Sequence, residues 1–318
     1  MQARAPGFSL LLTVLLLSPL QAEKITVEKS DQGALVKVDG QLFTEYVTRS
    51  NTKPILWPIV GPTGKPMTRA YPMKEGQSGE RQDHPWHRSC WFVHGNVNGI
   101  DFWDERPEQR IGKIVHQEFV KLDGGDQGVI VTRNHWMTKD LKTKVCEDER
   151  KFTFNANDKA RWIDVEVTMM ATDGPITFGD TKEGSFAVRV AGTMKVDANK
   201  GGKIVNSRGQ INKDAWAQKA EWVDYSGPVD DETLGIAIMN HPSSFGFPTY
   251  WHVRTYGLFA ANPFGAKSFS GGKQPSGDHT LPAGETLTLR YRVLLHQGDA
   301  EEGNVAEGYR DYQQSLAE

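Results

Sequence analysis

The chain has 318 residues, of which 38% are hydrophobic and 24% charged, and its formal net charge is −3 at pH 7. That composition excludes a disordered tail, a coiled coil and a collagen-like repeat. The lack of a basic stripe argues against nucleic acid as a partner, because phosphate binding needs one.

Residues 1–22 read as an export signal, with Arg4 in a short n-region, an apolar run over 8–17 and Ala22 as the small residue before a cleavage site. The apolar run is shorter than the roughly 20 residues that span a bilayer. No later segment is long and apolar enough to do so, and no membrane span is expected after cleavage. The remaining chain, 23–318, is expected to be periplasmic or secreted. It shows no internal repeat, low-complexity linker or composition break and is expected to form a single domain. Its most linker-like stretches are 227–232 and 271–278.

Strands are expected at 24–28, 35–38, 42–48, 90–103, 111–122, 128–137, 145–154, 162–170, 185–193, 234–239 and 287–295, separated by Asp-Gly, Gly-Gly and Asn-Gly turn signals. The period of two is plainest at Ile163, Val165, Val167 and Met169, which alternate with Asp164, Glu166 and Thr168. It returns at Leu287, Leu289, Tyr291, Val293 and Leu295, alternating with Thr288, Arg290 and Arg292. Helix is expected only at 212–218 and 300–316. With no βαβ alternation, these elements predict an all-β fold, a large two-layer antiparallel β-sandwich with few short helices. Cys90 and Cys146 would either pair as one disulfide or sit as two separate buried thiols.

The chemistry concentrates in two stretches. The first runs from Arg81 to Gly95 and holds His84, Trp86, His87, Arg88 and His94, followed by Asp101 and Trp103. The second joins Asn240 and His241 to Trp251, His252 and Arg254, with Asn262 beyond. Imidazoles, guanidiniums and indoles in this density suit a polar pocket with aromatic walls, which binds sugars by stacking and directional hydrogen bonds. The two stretches are expected to meet in one cavity on a concave sheet face. His87 and His252 are the candidate acid and base, and Glu183, just before a strand, could supply a further base. Arg88, Arg189 and Arg254 would hold an anionic or hydroxyl-rich substrate. The spacing of His84, His87, Cys90 and His94 offers ligand types for zinc or copper without the helical geometry of a His-Glu-x-x-His site, and no metal or other cofactor is assigned. No Gly-x-Ser-x-Gly elbow, phosphate loop or dinucleotide fingerprint occurs.

Lys53–Pro58, Asp83–Arg88, Asn240–Pro242 with Tyr250–His252, and Leu289–Arg292 together resemble a bacterial family of unknown function labelled "methane oxygenase PmoA". The resemblance covers nearly all of the mature chain. At the level of fold the chain also resembles the galactose mutarotase-like supersandwich proteins, in which a Pro-Ile-x-Trp-Pro-like strand and His-containing strand starts line a sugar cleft. Arg49, then Lys53–Pro58, then the His-rich strand start follow that order here. Together with the export signal, the clustered side chains and this resemblance lead to the expectation of an exported carbohydrate-active protein, a sugar isomerase or epimerase or a glycan-cleaving enzyme, with a carbohydrate small molecule or glycan as partner. A non-catalytic glycan-binding domain and a metal-dependent oxygenase are the alternatives.

Overall fold

The structure, a computed structural model, describes residues 24–75, 80–106 and 110–315. The expected export signal lies outside the described residues. In chain order the strands are β1 (Ile25–Lys29), β2 (Gly33–Val38), β3 (Gln41–Ser50), β4 (Lys53–Leu56), β5 (Cys90–His94), β6 (Gly112–Asp123), β7 (Gly128–Thr138), β8 (Lys144–Ala156) and β9 (Ala160–Met170). They continue with β10 (Ile176–Phe178), β11 (Gly184–Arg189), β12 (Lys203–Asn206), β13 (Trp222–Val229), β14 (Glu232–Asn240), β15 (Tyr250–Val253), β16 (Leu258–Asn262), β17 (His279–Leu281) and β18 (Thr286–Gln297). Two eight-stranded antiparallel sheets result, ordered β1-β2-β3-β4-β5-β11-β16-β15 and β12-β13-β14-β18-β9-β8-β7-β6, with β10 and β17 pairing separately. This is the two-layer all-β sandwich that the strand pattern predicts.

The second sheet follows the period-two rule because one face is packed and the other wet. Along β9, Ile163, Val165, Val167 and Met169 are buried, while Asp164, Glu166 and Thr168 are half-buried on the outer face. Along β18, Leu289, Tyr291, Val293 and Leu295 face the same core. Aromatic pairs cross the two layers: Phe186 of β11 stacks on Tyr291 at 4.8 Å, and Phe92 of β5 meets Trp136 of β7 edge-on at 6.1 Å. The first sheet behaves differently. β5, β11 and β16 are buried at every position, because loops cover the face turned away from the core.

Several expected boundaries move, each for a local reason. The strand expected at 90–103 ends at His94, since Asn98 and Gly99 take positive φ (51° and 76°) and fold the chain into a turn. The linker-like 227–232 is the tight hairpin between β13 and β14, turned at Asp230 with φ 54°. The terminal helix, α2, is confined to Val305–Gln314 after the four-residue α1 (Ala266–Phe269), and 212–215 forms one 3-10 turn. Cys90 and Cys146 are free buried thiols on different sheets.

Candidate functional site

The covered face of the first sheet is built by strand register. Across β15, β16, β11 and β5, His252 pairs with Ala260, Ala260 with Ala187, and Ala187 with Trp91, so these four side chains share one face. The neighbouring row, Trp251, Ala261, Phe186 and Phe92, must point the other way, into the core. Two alanines at the centre of the first row leave room between His252 and Trp91 for the buried ring of Trp103, 6.4 Å from His252 and 5.4 Å from Trp91. The loops after β4 and β5 then place charged and aromatic side chains above this row.

On the Trp91 side the anchor is Asp83. Its Oδ1 accepts from Arg69 Nη1 at 2.8 Å and from Arg189 Nη2 at 2.7 Å. Arg69 also donates to the backbone carbonyls of Asp83, His84 and His87, which ties down the loop. Burial pushes the Asp83 carboxyl up, but Arg189, His84 and Arg69 outweigh it and hold the group below its ordinary range. Arg189 Nη1–H donates to His87 Nδ1 at 3.1 Å. A guanidinium has no lone pair to offer, so Nδ1 must be the acceptor and Nε2 carries the ring proton. Burial, reinforced by Arg189, His84 and Arg69, holds His87 far below its ordinary pKa and therefore neutral. His87 is thus a fixed N–H donor. Its ring stacks on His84 at 4.8 Å and on Trp91 at 5.5 Å. Tyr256 stacks on His84 at 5.3 Å and lies under the Arg189 guanidinium at 4.7 Å.

Trp103 joins the two sides, with its ring 5.4 Å from His87 and 6.4 Å from His252. His252 is 3% exposed, and its Nδ1 has no hydrogen-bond partner. That atom lies 3.7 Å from Glu183 Oε2, beyond hydrogen-bond length. Burial brings the His252 pKa down to about 4, an effect that the Glu183 carboxylate only partly offsets. Asp101 Oδ1 accepts from the backbone N–H groups of Trp103 (2.7 Å) and Asp104 (3.0 Å). Burial raises the Asp101 carboxyl, the two N–H groups oppose this, and the charges of Asp104 and Glu183 raise it further. Below this loop, Glu105 is clamped by Lys53 Nζ at 2.8 Å and by Arg88 Nε and Nη2 at 3.0 and 2.9 Å.

The expected site residues therefore separate. His84, Trp86, His87, Asp101, Trp103, Glu183, Arg189, His252 and Arg254 gather around the covered face. His87 and His252, from distant parts of the sequence, meet across one tryptophan. Arg88 is spent on Glu105, and Arg49 is exposed on β3 beside Lys113 and His116. Trp251 alternates into the core and donates Nε1–H to the Ala220 carbonyl. Asn262 is structural: its Nδ2 donates to Thr181 O at 2.7 Å, two residues from Glu183. Asn240 ends β14 in the second sheet and His241 follows it, packing edge-on against Tyr312 of α2 at 5.0 Å. They do not join the His87 side, because β14 pairs with β13 and β18 rather than with β15. Of the ligand-type spacing, Cys90 alternates away from Trp91 toward the core, and His94 is held at the Gly179 carbonyl (2.8 Å). Among the described residues no three His, Cys, Asp or Glu side chains converge as a metal-ligating group. Arg69, Tyr256 and Trp216 are not among the expected site residues, and Asp83, though within the Asp83–Arg88 segment, is not named as one either. Asp83 carried a signal, being the carboxylate next to the His-Pro-Trp-His run.

A search of curated proteins finds no match. Among solved structures, a galactose mutarotase-like protein from Lactobacillus casei ATCC 334 is 12% identical, with a TM-score of 0.35 over 86% of this chain and 100% of that one. An Escherichia coli K12 protein described as an aldose 1-epimerase is 10% identical, with a TM-score of 0.33 over 87% and 99% of the two chains. A β-arabinopyranosidase is 8% identical, with a TM-score of 0.33 over 88% of this chain and 39% of that one. The profile of a family of unknown function, DUF6807, matches residues 34–310, and the chain belongs to that family.

Proposed function

We propose that this is an exported carbohydrate-active protein that interconverts the forms of a sugar at its anomeric carbon. One observation carries the reading. A buried, neutral imidazole with an unpartnered Nδ1 stands beside a carboxylate, His252 next to Glu183, and lies across Trp103 from a second imidazole, His87, that is locked as a donor. The reaction requires a base and an acid on opposite sides of a ring held flat. The His252–Glu183 pair takes the proton from the anomeric hydroxyl as the C1–O5 bond breaks and its electrons pass to O5. Solvent gives a proton to O5, and the His87 N–H steadies the oxygen. Rotation of the aldehyde and reversal of both transfers close the ring as the other anomer, with no net change in protons. Trp86, half-buried, supplies a stacking face.

The test is anomerisation of freshly dissolved sugars followed by NMR with the full chain, beside Glu183→Gln and His252→Ala. Catalysis by the wild type, reduced about a hundredfold or more in each variant, supports the reading. Sugar binding without turnover would instead favour the glycan-binding domain. A stoichiometric transition metal in protein purified without added metal, with oxygen-dependent turnover, would favour the oxygenase. If the wild type neither binds nor converts any sugar, the proposal is wrong.

A further inference from the structure

The cationic groups around the covered face are almost all matched to carboxylates. Arg69 and Arg189 share Asp83, Lys53 and Arg88 share Glu105, Arg106 pairs with Asp104, and Lys182 with Glu183. Arg254 differs: among the described residues it makes no ion pair with a carboxylate. It follows the last residue of β15 at the turn into β16, and its guanidinium reaches Tyr256, the ring that stacks on His84. Its guanidinium lies over Trp216 at 5.9 Å and over Tyr256 at 5.7 Å, and its charge opposes protonation of His252. Two aromatic rings flank the guanidinium while the residue remains exposed, which leaves N–H groups available to a planar, two-oxygen acceptor. A second donor nearby is also without an acceptor: the Nε1–H of Trp216 has no hydrogen-bond partner.

We propose that the sugar taken by this site carries a carboxylate, as in a uronate, and that Arg254 is the residue that reads it. The inference rests on the sugar-site reading above and adds the substrate class. Carboxylate fits better than phosphate. One unmatched guanidinium balances one negative charge, whereas a phosphate ester, at about −1.5 to −2, would leave excess negative charge beside Glu183 and Asp101. The planar fork also matches the two coplanar oxygens of a carboxylate.

Isothermal titration calorimetry of the full chain with D-glucuronate, D-galacturonate, D-glucose, D-galactose and D-glucose 6-phosphate tests this. The expected result is that a uronate binds roughly tenfold or more tightly than its neutral parent sugar. In Arg254→Gln the ratio of uronate to neutral-sugar affinity should collapse toward one, and Arg254→Lys, which keeps the charge but loses the fork, should recover only part of it. Matching thermal midpoints would show that the variants are folded. Equal or tighter binding of the neutral sugars, preference for the phosphate, or a uronate preference that survives Arg254→Gln would overturn the substrate class and leave the sugar site standing. No binding of any sugar would overturn both.

Discussion

Replacing Glu105 by Gln should be among the most damaging single changes to this protein, although Glu105 is not proposed to touch substrate. Its carboxylate is 3% exposed, and it neutralises two cations, Lys53 (0%) and Arg88 (12%). Burial by itself would raise the Glu105 pKa, but Lys53 and Arg88 reverse this and bring it from 4.5 to about 2. At 1.36 kcal/mol per unit, the ionised carboxylate is favoured by about 3 kcal/mol in the folded state. Not all of that is net gain, because burial lowers the Lys53 pKa despite its partner, so the ammonium gives some back. The neutral amide removes the counter-charge and leaves both cations buried, a change that typically costs about 3–5 kcal/mol.

Urea unfolding followed by tryptophan fluorescence measures this cost, with Trp103 as a local reporter, since its carbonyl accepts from Lys53 Nζ at 3.4 Å. Adding Lys53→Met to Glu105→Gln should recover part of the loss, because one of the stranded charges is then gone. The sign of the pH effect is fixed by the depressed pKa. The contribution of Glu105 is fully present above about 4.5 and is lost as pH falls toward about 2. A Glu105→Gln variant within about 1 kcal/mol of wild type would refute the reasoning, since that is the range of a solvated surface pair.

Other expectations have independent readouts. His296 donates from Nε2 to Asp224 (2.9 Å), and its Nδ1 lies 3.1 Å from the Gln297 carbonyl, so both ring nitrogens face acceptors and its pKa is raised despite burial. Its contribution is therefore complete below about 6.5 and should fade as pH climbs through the folded value, and a urea midpoint flat across that interval would refute it. Gly235→Ala should destabilise by roughly 1–3 kcal/mol, because a Cβ there would overlap the His296 ring, and an unchanged thermal midpoint would count against that packing. For any sugar turnover, kcat/KM should drop as pH falls through about 4, where His252 takes up a proton, and the drop should be absent in His252→Asn. Export with cleavage after Ala22 predicts a mature protein whose N-terminal sequence starts at Glu23, and recovery of an intact leader on soluble protein would contradict it.

Legibility in the sequence tracked how many faces of a strand meet water. β9 and β18 have one packed and one wet face, so their hydrophobic residues alternate and the strands are readable residue by residue. β15 and β16 are buried on both faces, so Trp251, His252 and Val253 carry no alternation, and neither strand is among those expected from the sequence. β13 ends in Gly-Pro-Val and reads as a linker, yet Pro228 is tolerated because it sits beside the hairpin turn, at the end of the strand. The candidate site shows the same division. The run from His84 to Trp103 is legible because its members are neighbours in sequence. The separation of Trp251 from His252 is not, because it depends on which face of an unrecognised strand turns toward the core.

The assignment of Asn240 and His241 to the same pocket as His252 fails for a related reason. Composition shows that two segments share a chemistry, but it does not show that one ends in the first sheet and the other in the second. The feature that makes the site usable is less visible still. Ala187 and Ala260 are unremarkable in sequence, and only the pairing His252–Ala260–Ala187–Trp91 gives them the work of leaving room for the Trp103 ring between the two imidazoles. A larger side chain at either alanine would displace that ring while leaving His87 and Arg189 in place. Ala187→Leu should therefore abolish sugar binding while His87 keeps its bond to Arg189. Retained binding in a folded Ala187→Leu protein, with the His87 ring signal unmoved, would show that the sugar does not occupy this face.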